Sequence, residues 1–127
     1  WRTDLQARFS EDLSAHEKIL AWIESVIFQI VINVELMNEL GVAQKIYVSG
    51  GFSKSDAVCQ KIADLTEISV YRSDNTDTTL QGIACMAAGI PTQWQPLIHD
   101  DVFVPQQNPQ TQLRFHRWRE EMTKWLR

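Results

Sequence analysis

Two adjacent glycines, Gly50 and Gly51, follow a short run of β-forming residues and precede a run with helical spacing. A strand that ends in glycines lets a ligand approach the backbone, because no Cβ stands in the way. The helix that follows offers unpaired N–H groups and the positive end of its dipole, which suit a phosphate. Ser53 and Ser55 add hydroxyl groups. The junction is the best candidate for a nucleotide or phosphate site, although taken alone the same residues also suit a simple turn.

The junction lacks the signatures of two common phosphate loops. The pattern Gly-x-x-x-x-Gly-Lys-Ser/Thr is absent, and the third glycine of the dinucleotide fingerprint is missing. The pattern therefore indicates neither a P-loop nor a dinucleotide-binding fold.

A second candidate is the segment 76–84, Thr-Asp-Thr-Thr-Leu-Gln-Gly-Ile-Ala. It is typical of an N-capped helix whose small residues allow close packing. Glycine inside a helix costs about 1 kcal/mol relative to alanine, so Gly82 predicts close approach of another element or of a nucleotide.

Other residue types offer little chemistry. Cys59 and Cys85 lie in apolar helical contexts and are interpreted as small hydrophobic residues, and the histidines lack partners at metal-ligand spacing. No Ser/His/Asp triad is found. Glu24 and Gln29, on a mostly apolar helix, are expected to make structural hydrogen bonds, with an indirect role beside a ligand as the alternative. The aromatic residues of the last helix are expected to pack rather than to stack on a ligand (Phe115, Trp118, Trp125).

The elements that position these residues alternate between helix and strand. Apolar spacings of three and four predict a helix over 13–40, ended by Gly41 in the left-handed conformation. Ser10 is a candidate cap for this helix or for a preceding turn. Ser53 and Asp56 indicate a capped start of the next helix. Further elements are strands at 45–49 and 68–71, a helix that carries the apolar residues of 57–65, helices at 80–88 and 108–126, and an extended connection between the last two helices. The order predicts an α/β fold with parallel strands. A parallel sheet of only two strands cannot cover its own faces and edges, so the small number of strands predicts that further strands are missing from this sequence.

Composition excludes several classes of protein. The chain has 127 residues, 44% apolar and 22% charged, with a net charge of −4. An acidic chain without a basic patch argues against nucleic-acid binding. Its longest apolar run is interrupted by Gln29 and Asn33, which argues against a membrane span.

Four segments in the expected order resemble the C-terminal domain of the FGGY carbohydrate kinases. Segment 47–56, Tyr-Val-Ser-Gly-Gly-Phe-Ser-Lys-Ser-Asp, is similar to the family's strand-Gly-Gly-x-Ser/Ala-x-Asn pattern, and segment 76–89 to its Thr-Glu-x-Thr-Ala-x-Gly-Ala-Ala-x-x-Ala-Gly pattern. Segment 23–29, Ile-Glu-Ser-Val-Ile-Phe-Gln, resembles Leu-Glu-Gly-Ile-Ala-Phe-Gln. Residues 103–105 with 114–118 resemble the end of such chains, with the glycerol kinase branch the most similar.

The resemblance implies part of an actin/hexokinase-like (ribonuclease H-like) ATPase lobe with few parallel strands and several helices. It implies that Gly50, Gly51 and Ser55 bind ATP, with Mg²⁺ carried by the nucleotide. Ser55 stands where the family has Asn, Asp77 where it has Glu, and Ser25 where it has Gly.

The same resemblance implies a catalytic Asp upstream of this sequence, and the family's Asp-x-Gly-Thr phosphate loops are absent. Residues 1–127, which begin with Trp1, are thus expected to be an incomplete C-terminal domain of a two-domain kinase, with 91–127 as a tail and helix packed on it. The parent protein is expected to phosphorylate a sugar or polyol in the cytoplasm, whereas the isolated chain is expected to be inactive and to form homo-oligomers through its uncovered edge. Alternatives are a non-catalytic nucleotide-binding or regulatory module on the same fold, and an unrelated α/β domain.

Overall fold

The computed structural model describes residue 9 and residues 12–73, 77–89 and 99–125, without the side chains of 99, 100 and 125. In chain order the elements are α1 (Ala15–Asn38), β1 (Ile46–Val48), a 3₁₀ turn (Gly51–Lys54), α2 (Asp56–Thr66), β2 (Val70–Ser73), α3 (Thr78–Ala88), β3 (His99–Phe103) and α4 (Pro109–Trp125). The α/β prediction is confirmed, and each predicted helix is present.

The sheet has the order β1-β2-β3. Strands β1 and β2 are parallel, as predicted, with Ile46 opposite Val70. Strand β3 runs antiparallel to β2, with Phe103 opposite Val70. The sequence predicts only an extended connection here, because the run His-Asp-Asp-Val-Phe shows little apolar alternation. Pairing with β2 therefore forms a strand that local pattern does not reveal.

Helix α1 begins and ends differently from the prediction. Its N-cap is Ser14, which forms a capping box with Glu17, whereas Ser10 lies outside the described residues. The prediction that Gly41 adopts the left-handed conformation is wrong, because among the described glycines only Gly50 and Gly89 have a positive φ. The helix instead ends at Asn38, with Glu39 in the right-handed conformation. At the end of α3, Gly89 has a positive φ, +81°.

The core has two parts, one on each side of the middle of α1. On one side, Ile27 packs with residues of α2 and β2 (Val58, Cys59, Ile62, Ala63, Val70). On the other side, Phe28 and Val31 pack against Phe115 of α4. The broad apolar stripe of α1 is thus covered from two directions at its centre, while Ile19 and Met37 near its ends are exposed.

By length and composition alone, α1 is the one described helix that could also cross a membrane. Core helices and signal sequences share these properties. In this structure the centre of α1 carries the buried residues Ile27, Phe28 and Val31, and Glu24 on the same helix forms ion pairs with Lys61 and Arg114.

Candidate functional site

The paired glycines form a sharp bend directly after β1. Gly50 has φ 89° and ψ −180°, a region that is essentially restricted to glycine. Its carbonyl accepts hydrogen bonds from the backbone N–H and the hydroxyl of Ser53, at 3.2 and 2.7 Å. Among the residues that the structure describes, a Cβ added at Gly50 or at Gly51 would meet nothing within 4 Å. The bend therefore has open space beside it, as the nucleotide hypothesis requires.

The predicted capping role of Ser53 is wrong. Ser53 is buried within the 3₁₀ turn, and its hydroxyl bonds back to Gly50 instead of to the helix start. Ser55 is the N-cap residue of α2, and its side chain makes no capping hydrogen bond. The exposed Ser55 hydroxyl is therefore not used by the helix that it precedes.

Arg72, at the carboxyl end of the parallel strand pair, holds the bend to the sheet. Its Nη1 donates to the Ser53 carbonyl at 3.0 Å and to Asp56 at 2.7 Å. Its Nε and Nη2 donate to Asp101 of β3 at 3.0 and 2.6 Å, and the guanidinium lies 5.1 Å from the Phe103 ring centroid. The hydrogen bonds to Asp101 and Asp56 raise the pKa of Arg72 above its ordinary value. One side chain thus connects the bend, the start of α2 and the third strand.

A cavity of about 650 Å³ lies beside the bend, between the first half of α1 and the start of α2. This volume is within the range of small-molecule sites. Of the three predicted ligand residues, Gly51 and Ser55 line the cavity and Gly50 does not. Most of the remaining lining is apolar (Leu13, Leu20, Ala21, Ile23, Ile27, Phe52, Ala57, Val58), and the charged lining residues are Glu17, Glu24, Lys61 and Arg114.

Three of those charged residues form a cluster, which we call the Glu24 cluster (Glu24, Lys61 and Arg114). Lys61 Nζ donates to Glu24 Oε1 at 2.6 Å. Arg114 Nε donates to Oε2 at 2.9 Å and Nη2 to Oε1 at 3.0 Å. Burial raises the pKa of Glu24, but the hydrogen bonds from Arg114 and Lys61 outweigh it, and the net pKa lies below its ordinary value.

The hydrogen bonds predicted at Glu24 are present, since its carboxylate accepts from Lys61 and Arg114. Gln29 is exposed to solvent, so it does not need the structural hydrogen bond that is expected for a buried side chain. Lys61 and Arg114 are not anticipated, because Arg114 lies 90 residues from Glu24 along the chain. Helix phase could have placed Lys61 on the side of α2 that carries Val58, but no local pattern indicates Arg114.

The second glycine motif is joined to the first by one side-chain contact. Ser49 Oγ and Thr78 Oγ1 are 2.8 Å apart, which places the start of α3 beside the end of β1. In the described part of the chain, a Cβ at Gly82 would meet nothing within 4 Å, and no residue of α3 is buried. The expected close approach of another protein element to Gly82 is therefore not found among these residues.

The described cysteines and carboxylates offer no further chemistry. Burial raises the pKa of the Cys59 thiol, which keeps it protonated and inert. Among the residues that the structure describes, no group of three His, Cys, Asp or Glu side chains lies together as metal ligands would.

Comparison with known proteins identifies the chain's family. Residues 4–89 match the sequence model of the C-terminal domain of the FGGY family of carbohydrate kinases. No sequence among the curated proteins matches.

Two solved structures share the fold. A gluconate kinase from Lactobacillus acidophilus matches with a TM-score of 0.63 at 23% identity, over 92% of this chain and 26% of that one. A xylulose kinase from the same organism matches with a TM-score of 0.59 at 22% identity, over the same shares. The chain thus spans about a quarter of the length of these structures. The interpretation as an unrelated α/β domain is wrong, and the fold is of the actin-like, ribonuclease H-like ATPase type. The chain belongs to the FGGY family of carbohydrate kinases, in which residues 4–89 correspond to the C-terminal domain.

Proposed function

We propose that this chain forms one wall of the ATP site in a kinase that phosphorylates a hydroxyl group of a sugar or polyol. The observation that carries the proposal is the exposed Gly51, which lines a cavity of about 650 Å³ and has no described residue within 4 Å of its Cβ position. A backbone without a side chain is what close approach of a nucleotide requires. Family membership makes ATP the phosphoryl donor to test.

In this proposal the bend holds the nucleotide through its backbone. Gly50 sets the direction of the chain, Gly51 lies against the nucleotide, and the Ser55 hydroxyl contacts the adenosine. Serine is shorter than the family's asparagine, so its contact is direct only if the nucleotide lies close to the start of α2. We place Mg²⁺ on the phosphates of ATP, where it would neutralise charge during transfer.

The reaction itself requires groups that this sequence does not supply. The hydroxyl oxygen of the acceptor bonds to the γ-phosphorus as the bond to the β-phosphate oxygen breaks, and a base takes the hydroxyl proton. The Asp-x-Gly-Thr phosphate loops of the family are absent from the 127 residues. We propose that these residues bind nucleotide alone but turn over only within a two-lobed protein.

Gly51→Ala tests the ATP site. The added methyl group has no atom of the described residues within 4 Å, so we expect unfolding in urea to be unchanged. The methyl group would lie where the nucleotide approaches, so we expect ATP affinity measured by calorimetry to fall about tenfold or more. Gly41→Ala is the matched control, because that glycine also has open space but does not line the cavity. Equal ATP affinity of Gly51→Ala and the unaltered chain would refute the assignment.

Turnover is tested separately with the purified chain and MgATP. Gluconate and xylulose, the substrates named for the two structural relatives, are tested with glycerol and common pentoses. We expect no phosphorylated product. ATP-dependent product would overturn the claim that the chain is inactive alone, without affecting the site assignment.

We also propose that the chain acts in the cytoplasm and that, in isolation, it associates with a second copy. Among the described residues, β1 pairs only with β2, so its other edge is open. Tyr47 on this strand is 57% exposed. Open edges promote strand pairing between chains. Light scattering is expected to show a dimer or larger species, and a monomer at high concentration would contradict this.

A further inference from the structure

Helix α4 lies outside the segment that matches the family's C-terminal domain, yet it contributes to the cavity. The match ends at residue 89, whereas Arg114 on α4 lines the cavity together with Gly51 and Ser55. Phe115, the next residue, is buried against Phe28 of α1 and so holds this part of α4 in place. The cavity is therefore closed by two parts of the chain that are far apart in sequence.

The Glu24 cluster lines the same cavity as Gly51 and Ser55, with Lys61 farther along α2 than the glycine bend. Lys61 follows Ser55 by six residues on α2, which corresponds to about 9 Å along a helix axis. The lining between these two positions includes Ala57 and Val58, with Leu20 and Ala21 on α1. A flat apolar ring would fit between the helices, and its far edge would face the charged cluster.

The cluster holds a carboxylate in a fixed orientation. The side chain of Glu24 is only 15% exposed, and both of its oxygens accept hydrogen bonds from the two basic residues. Arg114 is itself held by Thr111, whose hydroxyl accepts from Nη2 at 3.1 Å. A carboxylate can accept about four hydrogen bonds, and three are used here. Glu24 therefore retains capacity to accept one from a ligand.

We propose that Glu24 recognises the base of the bound nucleotide by accepting a hydrogen bond from its exocyclic amino group, and that Lys61 and Arg114 position Glu24 for this contact. The inference rests on the proposed nucleotide site. The proposal gives α4 a role in nucleotide binding, through Arg114. An adenine base has an amino group at this edge, which can donate a hydrogen bond to the carboxylate. Hypoxanthine has a carbonyl oxygen at the same position, and an ionised carboxylate has no hydrogen to donate to it. The cluster thus favours ATP over ITP.

A purely structural role for the cluster is the competing explanation, since Arg114 also ties α4 to α1. The chain offers a matched comparison for it. Arg119, on the same helix, pairs with Glu35 of α1 at 3.0 Å, and its side chain is 49% exposed against 46% for Arg114. Neither Arg119 nor Glu35 lines the cavity. Removing either arginine breaks an α1–α4 ion pair, but only Arg114 contacts the residue proposed to recognise the base.

The test measures the affinities of ATP and ITP for the 127-residue chain by calorimetry in the presence of Mg²⁺. Glu24→Gln and Arg114→Gln are expected to lower the ratio of ATP to ITP affinity about tenfold, the contribution of one charge-assisted hydrogen bond. Arg119→Gln is expected to leave the ratio unchanged. If either glutamine variant fails to fold, Arg114→Lys provides the same comparison, because it keeps the positive charge but cannot make the two hydrogen bonds that Arg114 donates to Glu24.

Each outcome decides the matter. An unchanged ratio in the folded cluster variants overturns this inference while leaving the nucleotide site intact. A change of equal size in Arg119→Gln also overturns it, because the effect would then follow from loosening α4. Failure of the unaltered chain to bind either nucleotide overturns the proposed function, and this inference with it.

Discussion

Phe115→Ala should separate α4 from the rest of the chain. Phe115 is 5% exposed and its ring centroid lies 5.4 Å from that of Phe28. Trp118 completes the group, 5.5 Å from Phe28 and 6.5 Å from Phe115. Together with Val31, which is fully buried, these side chains form the second part of the core.

The expected cost follows from the size of the cavity that the substitution would leave. Replacing a buried phenylalanine by alanine costs about 3–5 kcal/mol, and loss of tilted aromatic contacts contributes to that figure at about 0.5–1.5 kcal/mol per pair. Since domains of this size are stable by about 5–15 kcal/mol, we expect a large loss. At a urea dependence of about 2 kcal/mol per M, a loss of about 3–5 kcal/mol lowers the unfolding midpoint by about 1.5–2.5 M.

The assay is urea unfolding followed by tryptophan fluorescence and by circular dichroism. Leu113→Ala is the control, because Leu113 lies on the same helix but is 52% exposed. We expect it to change the midpoint by less than about 0.3 M, since exposed substitutions cost within about 0.5 kcal/mol. If Phe115→Ala costs no more than Leu113→Ala, the packing of α4 on α1 described above is wrong.

Three further predictions test the site. Burial raises the pKa of Glu24, but hydrogen bonds from Arg114 and Lys61 lower it below its ordinary 4.5, so the ionised form stabilises the folded chain above that pH. The unfolding free energy lost in Glu24→Gln should therefore be constant above about pH 5 and shrink as the pH falls further. A difference that does not depend on pH would contradict this prediction. Gly50→Ala should cost about 1–3 kcal/mol in urea unfolding because of its backbone conformation, whereas Gly51→Ala, at ordinary φ, should cost nothing. Arg72→Met should speed hydrogen exchange of the amides of the 3₁₀ turn without changing those of α1, because Arg72 holds the Ser53 carbonyl; unchanged exchange in the turn would refute its role.

Much of the fold is predictable because it depends on interactions between near neighbours. The spacing of Ile23, Ile27 and Ile30 indicates α1. At the start of α4, the side-chain oxygen of Asn108 accepts a hydrogen bond from the backbone N–H of Thr111, three residues on. The glycine pair is recognisable as a bend for the same reason. The errors lie where two local signals compete. Gly41 and Ser53 are each typical of a helix boundary, but the true boundaries are at Glu39 and Ser55.

The α/β order, the parallel pair of strands, the glycine bend and the resemblance to the FGGY kinases can be predicted from the sequence, since each depends on residue types within single segments and on the order of those segments along the chain. The tertiary structure alone decided that β3 joins the sheet, that Arg72 links the bend to Asp101, and that Arg114 meets Glu24 in the lining of the cavity. The partners in the last two contacts are 29 and 90 residues apart. Such contacts depend on how helices and strands pack, and single surface charges leave no periodic pattern from which that packing can be inferred.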